Sequence, residues 1–391
     1  MTVVLNKPDQ FHKYCDTLES CSLIGIDTEF VGEDHYRPKL CLIQVAAEQG
    51  NKIIDAIELK DISRFWHVIT MPGKEIILHA GQQELHFCLN SVNVRPQKVF
   101  DVQIGAGLLG WDYPASYANL VSKLLDVKLK KSQSRTDWRK RPLNAGQLKY
   151  AAEDVAYLLK MHEAMKPKLT KIGRIGWMDE EIHRLETRIR NNESNDRWRQ
   201  MAGLSVLSEP QLAIACQLWI WREKKAAELD RPVRRLLRDD LIIELAKLGS
   251  EAHSKIFTIR EMTQQRFRRH IDDISLAISE AKKLKTHQLP EKVRKQINPH
   301  YGLAGQMLNV VLSALCEQKK IAAGLVGSLQ DVHDLIAWHE SKHKTKPPKL
   351  AEGWRCELIG SVLRKALQSQ VKIAIGKSKG GFVPKIEIED D

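Results

Sequence analysis

The chain has 391 residues, of which 43% are hydrophobic and 28% charged, and its formal net charge is +12 at pH 7. That length allows two or three domains, and the apolar fraction excludes wholesale disorder. No run approaches the ~18 consecutive apolar residues of a membrane span, and residues 1–10 lack the basic-then-apolar layout of a secretory leader.

Seven cysteines, at positions 15, 21, 41, 88, 216, 316 and 356, form no Cys-x-x-Cys pair. Their odd number argues against a disulfide framework and against a thiolate zinc site. The expectation is a cytoplasmic protein with reduced thiols, no membrane association and no disulfide-linked partner. The charge is unevenly spread. Residues 1–170 hold 22 Lys and Arg against 20 Asp and Glu, whereas the remainder holds 39 against 29. Nine basic residues fall between Lys123 and Lys149 against Asp126 and Asp137 alone, an excess that suits a polyanionic partner.

In chain order, residues 23–30 (LIGIDTEF), 39–47 and 52–56 read as strands of an antiparallel meander, with a turn at Glu48-Gln49-Gly50-Asn51. Residues 75–80 read as a buried strand followed by a helix over 82–90. A short strand at 99–101 leads into a helix over 104–109. Mixed strands and helices imply an α/β sheet over residues 1–170. Beyond about residue 179 strand signals almost vanish. The polar stretch 188–195 reads as part of a helical linker over 171–207. Ser208-Glu209-Pro210-Gln211 then offers a capping box with proline in the first turn of a helix carrying Leu212, Ala215, Trp219 and Ala226 on one side. Helical patterns continue over 239–248, 265–284, 303–317 and 354–370. They suggest two helical modules, 208–288 and 295–375, with a disordered tail over 376–391.

Chemistry is suggested by the acids. Strand alternation sends Ile24, Ile26, Thr28 and Phe30 to one face and Gly25, Asp27 and Glu29 to the other. Two acids on one face of an otherwise apolar strand are costly unless paired or bound to a cation. Glu84 falls in the first turn of the helix after His79-Ala80-Gly81, where favourable placement on the helix dipole is the simpler explanation for a lone acid. Asn144 and Gln147 form a cap for a helix beginning near Ala145, on which Tyr150 and Asp154 are neighbours four residues apart. Leu148, Ala151, Ala152, Val155 and Leu159 form its core face, and Glu153 points to solvent.

Taken together, these motifs resemble the ribonuclease D family of 3′–5′ exonucleases. The matching segments are Ile26-Asp27-Thr28-Glu29-Phe30, Leu42-Ile43-Gln44, His79 to Leu85, Phe100-Asp101-Val102-Gln103 to Gly110, Lys130 to Trp138 with Arg141-Pro142-Leu143, and Tyr150-Ala151-Ala152-Glu153-Asp154. The resemblance covers residues 1–170. The helical remainder resembles HRDC (helicase and RNase D C-terminal) modules. Trp219, Arg222, Ala226, Asp230-Arg231-Pro232 and Asp239-Asp240-Leu241 match the first, and Gly353-Trp354-Arg355 with Gly360 match the second more weakly.

The resemblance implies a ribonuclease H-like α/β domain followed by all-α modules, and a metal-dependent 3′–5′ exoribonuclease. Two divalent ions, Mg²⁺ or Mn²⁺, would be held by Asp27, Glu29, Glu84 and Asp154, with Tyr150 orienting the attacking water. The partners it implies are RNA, in the form of tRNA precursors and small structured RNAs. The family usually has Asp where this chain has Glu84, which leaves open whether that acid would meet an ion directly or through a water. Thr28, Phe30, His79, Lys131, Arg135, Trp138 and Arg139 are the candidate substrate contacts. Packing under the sheet is the stronger reading for Phe30, and completing a strand the stronger one for His79. Arg234, Arg235, Arg238, Arg266, Arg268 and Arg269 are candidate RNA grips on the helical modules. Two alternatives stand beside this reading: a DNA 3′–5′ exonuclease, and a nucleic-acid-binding protein with an impaired nuclease site.

Overall fold

The computed structural model describes residues 3–129, 136–192, 195–292, 301–344, 346–378 and 381–388. The chain forms two compact units, one from residues 1–29, 42–186 and 296–391, the other from 30–41 and 187–295.

The first unit is built on a six-stranded sheet of β1 (Val3–Leu5), β2 (Leu23–Val31), β3 (Lys39–Ala46), β4 (Lys52–Asp55), β5 (Glu75–Leu78) and β6 (Lys98–Asp101). Their spatial order is β1-β4-β3-β2-β5-β6. Strands β3 and β4 are antiparallel, Ile43 facing Ile54, while β2, β5 and β6 run parallel in register Ile24 to Ile76 and Ile77 to Phe100. Each of these apolar runs is buried because helices cover the sheet, as parallel strands require. The carboxyl ends of β2, β5 and β6 therefore point the same way, and an α/β sheet forms its binding crevice at such ends.

Helices Gln82–Val92, Val102–Leu108, Tyr117–Leu125, Ala145–Val155 and Leu158–Lys171 follow these strands. The helix from Ala145 starts with the expected box: Gln147 N donates to Asn144 Oδ1 at 2.9 Å and Asn144 N to Gln147 Oε1 at 3.0 Å. It ends at Val155, and a fresh helix starts at Leu158, so Leu158 rather than Leu159 becomes the fully buried side chain.

The same unit contains helices Tyr301–Gln318 and Leu329–Glu340, and a composite ending in Ser361–Leu367 that includes a wide π-type turn over Cys356–Gly360. This module is fixed to the sheet domain by hydrogen bonds from Ala322 N to Gly107 O at 2.9 Å and from Arg174 to Leu108 O at 2.6 Å and Lys320 O at 2.8 Å. One expectation is corrected in this part of the chain. Residues 376–378 and 381–388, expected to belong to an unstructured tail, lie in a hairpin of β7 (Val371–Ser378) and β8 (Gly381–Ile388), whose backbones pair from Val371 opposite Ile388 to Ser378 opposite Gly381. The linker segment is helical over Ile175–Asn192, where Met178, Ile182, Leu185 and Ile189 recur at helical spacing and are buried.

The second unit is a helical module of Glu209–Glu228, Asp239–Leu248 and Ile271–Lys282 around Leu212, Ala215, Trp219, Leu241, Ile274 and Ile278. Ser208 and Gln211 form the expected box at its first helix. The expected helix over 265–284 is broken into Gln265–Arg268 and Ile271–Lys282. Arg222 is buried and satisfied by Leu237 O at 2.9 Å and Asp239 Oδ1 at 2.6 Å.

Candidate active site

Strand β2 carries Asp27 and Glu29, both partly accessible and alternating with the buried residues Ile26 and Thr28. Their face of the strand is reached by the helix junction at Leu158 because position 25 is glycine. A Cβ there would lie 3.1 Å from Leu158 Cβ and 3.3 Å from Ala46 Cβ. The close approach brings the preceding helix, with Tyr150 and Asp154, over the acids of β2. Asp27, Tyr150 and Asp154 line one cleft of about 240 Å³ together with Ile26, His79, Tyr117 and Leu158.

Glu84 arrives from the turn after β5. Asp101, at the end of β6, holds that turn. Its carboxylate accepts from Ala80 N at 3.2 Å and Gly81 N at 2.8 Å, and also from Gln103 N at 2.8 Å and Ile104 N at 3.2 Å. Glu84 is buried, and its Oε1 accepts from the Thr28 hydroxyl at 2.5 Å.

The electrostatics describe one cluster. Burial raises Asp27 well above the usual carboxylate range, and the charges of Glu84, Asp154 and Glu29 raise it further. Burial followed by Asp154 and Glu84 pushes Glu29 up to about 8. Burial brings Glu84 to about 7 against the opposing hydrogen bond from Thr28. It brings Asp154 to about 7 against that from Tyr150. The Tyr150 phenol is itself pushed above its ordinary value by burial and then by Asp154.

Among the described residues, no basic side chain forms an ion pair with any of the four acids. Buried like charges of this kind call for a cation, and oxygen-only donors suit a hard divalent one. The four carboxyls fit such an ion in chemistry and share one electrostatic field. Among the described residues they are not drawn into a closed ligand group.

The candidate substrate contacts divide. Thr28 is buried and engaged with Glu84. Phe30, expected to pack under the sheet, is instead 39% exposed near the end of β2. His79 lines the cleft, and its Nε2 meets Ala115 O at 2.9 Å. Trp138 is 3% exposed, with its ring 6.0 Å from that of Tyr150, so it supports the tyrosine and offers no free stacking face. Arg139 pairs with Asp137 at 2.9 Å. Lys131 and Arg135 lie outside the described residues. Of the arginines on the helical module, Arg235 pairs with Asp34 at 2.5 Å and Arg238 with Asp240 at 2.8 Å and Glu261 at 2.9 Å.

One cleft residue had no motif to signal it. Tyr117 donates to Glu153 O at 3.2 Å and accepts from Tyr157 N at 3.1 Å, tying the break between the two helices to the cleft wall. Asp101 belonged to a matching segment, but its service to two chain segments at once was not apparent from its position before a helix.

The comparisons with known proteins agree with this architecture. A 3′–5′ exonuclease family model matches residues 2–170, an HRDC domain model residues 211–278, and a ribonuclease D C-terminal HRDC model residues 299–363. A ribonuclease D from Shewanella sp. (strain ANA-3) is 31% identical over 344 residues, 88% of each chain. The chain belongs to the ribonuclease D family. Ribonuclease D from Escherichia coli (strain K12) is 29% identical over 371 residues, 93% of this chain and 98% of its own. The crystal structure of Escherichia coli RNase D, an exoribonuclease involved in structured RNA processing, matches with a TM-score of 0.83 at 28% identity, covering 94% of this chain and 99% of that one. As a ribonuclease D relative with a 3′–5′ exonuclease domain, the protein is a 3′–5′ exoribonuclease.

Proposed function

We propose that this ribonuclease D family enzyme trims the 3′ ends of tRNA precursors and other small structured RNAs, releasing nucleoside 5′-monophosphates. In this reading two divalent ions, Mg²⁺ or Mn²⁺, are held by Asp27, Glu29, Glu84 and Asp154. The carrying observation is that four acids from β2, the turn after β5 and the helix Ala145–Val155 share one field without a cationic partner among the described residues. When bound, the ions supply the charge that acidifies a water and offsets that of the phosphate.

The chain's own residues do the rest. Tyr150 keeps its proton at any working pH, since its pKa lies above an already high ordinary value, so it orients the water and does not act as the base. Tyr150 and Asp154 are neighbours on one helix face, and each shifts the other's proton affinity. Thr28 holds Glu84, and Asp101 holds the turn that delivers it. Ile26 and Leu158 give the cleft part of its wall as apolar surface. Two features support structured RNA as substrate: the Escherichia coli relative acts in structured RNA processing, and residues 171–391 carry the larger part of the positive charge.

The test is incubation with 3′-extended and mature tRNA under Mg²⁺ and under Mn²⁺, with products sized over time and an Asp154→Asn variant alongside. Stepwise shortening of the extended RNA to the mature end, with mononucleotide release and an inert variant, is expected. Internal fragments, or equal loss of RNA with both proteins, would overturn the reading.

A further inference from the structure

The unit that carries the sheet has a second concavity, of about 220 Å³, whose lining includes Trp111, Asp112, Ala115, Asn119 and Lys123. It adjoins the acidic cleft through Ala115, whose carbonyl engages His79 Nε2 at 2.9 Å and accepts from Gln103 Nε2 at 2.9 Å. Tyr117 of the cleft lies between Ala115 and Asn119 of the concavity, so the two spaces share one chain segment.

Two ammonium groups attend the half-buried Trp111 ring. Lys123 Nζ lies 5.0 Å and Lys168 Nζ 5.6 Å from the ring centroid, and they come from separate helices. A third basic element, the exposed Lys319-Lys320 turn, is fixed beside the same segment. Arg174 donates to the carbonyls of Leu108, Lys319 and Lys320, and a Cβ on Gly110 would lie 2.6 Å from Lys320 O. None of the four lysines has an ion-pair partner among the described residues, and Asp112 is the acid in the lining of the concavity.

We propose that this concavity is a second RNA subsite, which holds a nucleotide on the 5′ side of the scissile end by stacking its base on Trp111 and pairing its phosphate with Lys123 and Lys168. The proposal rests on the exoribonuclease assignment and adds a place where the strand is gripped. An indole face stacks on any base and ammonium groups meet any phosphate. Such a grip is indifferent to sequence, as an enzyme advancing one nucleotide at a time needs. The Lys319-Lys320 turn adds positive charge from the C-terminal module along the onward path.

The test is fluorescence anisotropy of the full chain with a fluorescein-labelled single-stranded oligoadenylate, in EDTA so that nothing is cut. Trp111→Ala is expected to weaken binding about tenfold, which corresponds to ~1.4 kcal/mol for one lost stack. Trp111→Phe, which keeps an aromatic face, is expected to stay within about twofold of the parent. Lys123→Met, at an exposed position that folding does not need, is expected to lower the salt slope by about 0.7, the share of one single-strand phosphate contact. Parental affinity and salt slope in Trp111→Ala and Lys123→Met would overturn the proposal, as would failure of the parent chain to bind the oligonucleotide. Shortening of the same RNA by the parent chain under Mg²⁺ or Mn²⁺ is scored separately. Its failure would count against the exoribonuclease reading while leaving the binding result to stand.

Discussion

The Thr28 hydroxyl donates to Glu84 Oε1 at 2.5 Å, linking the one strand position between Asp27 and Glu29 to the acid that departs from the usual family residue. The extra methylene of glutamate over aspartate is thereby given a fixed end point. Thr28→Val keeps the shape and removes the donor, leaving a buried carboxyl with one partner fewer. Such a loss costs about 1–3 kcal/mol. The variant is expected to lose about that much stability in urea denaturation and to cut RNA more slowly, because Glu84 is no longer held. Unchanged stability together with an unchanged rate would show that the contact does not position Glu84.

Much of this site could be read from local pattern, and the rest depends on partners distant in sequence. The alternation in residues 23–30 placed Asp27 and Glu29 on one face, and the Asn144–Gln147 cap located the helix that bears Tyr150 and Asp154. Trp138 carried no such signal. An aromatic within a basic run suggests a nucleic-acid contact, yet its burial against Tyr150 depends on a helix that begins seven residues later. The three residues of β1 are too few to show alternation and gain their strand only by pairing with β4. In β7 and β8 the alternating apolar residues were present, as in KIAI and KIEI, but the lysines and glycines around them favoured a tail reading.

The C-terminal module is joined to the helix Ile175–Asn192 by a buried ion pair. Arg355 donates to both carboxylate oxygens of Glu181 and to Val326 O at 2.8 Å and Leu325 O at 2.7 Å, while Trp354 Nε1 donates to Glu181 at 2.8 Å. Removing one partner of such a pair strands the other charge, at about 3–5 kcal/mol. Arg355→Met is expected to lower unfolding free energy by that amount. The double variant with Glu181→Leu should recover a large part, although Trp354 then loses its acceptor. A single-variant loss below about 1 kcal/mol in urea denaturation would mean that water reaches the pair.

Glu75 at the start of β5 lies between His162 Nε2 at 3.4 Å and Lys166 Nζ at 2.6 Å, which hold its carboxyl down to about 2 against the opposing effect of burial. Lys166 is the closer of the two. A carboxyl depressed on folding contributes stability above its unfolded pKa, near 4.5, and that contribution is lost as pH falls towards 2. Glu75→Gln is expected to cost roughly 1–2 kcal/mol at pH 7, a figure reduced because the pair is partly exposed to solvent. The gap to the parent should close between about pH 4.5 and 2. A gap that stays constant over that range would assign the cost to packing.

The acids of the cleft run in the opposite sense. Glu29 at about 8, Glu84 and Asp154 at about 7, and Asp27 raised well above its ordinary range all hold protons on folding more tightly than unfolded carboxyls, which titrate near 4. Groups raised in this way support the fold below their unfolded pKa and lose that contribution as pH rises through their folded values. The metal-free protein is therefore expected to melt at progressively lower temperature from about pH 4 to pH 8. A divalent cation must displace the remaining protons to reach the oxygens, so its affinity should rise over the upper part of that range. Titration calorimetry with Mn²⁺ at pH 7, in buffers of different ionisation enthalpy, should show net proton release, smaller in Asp154→Asn. Binding without proton release, at an affinity independent of pH between about 6 and 8, would mean that the cation sits elsewhere on the protein.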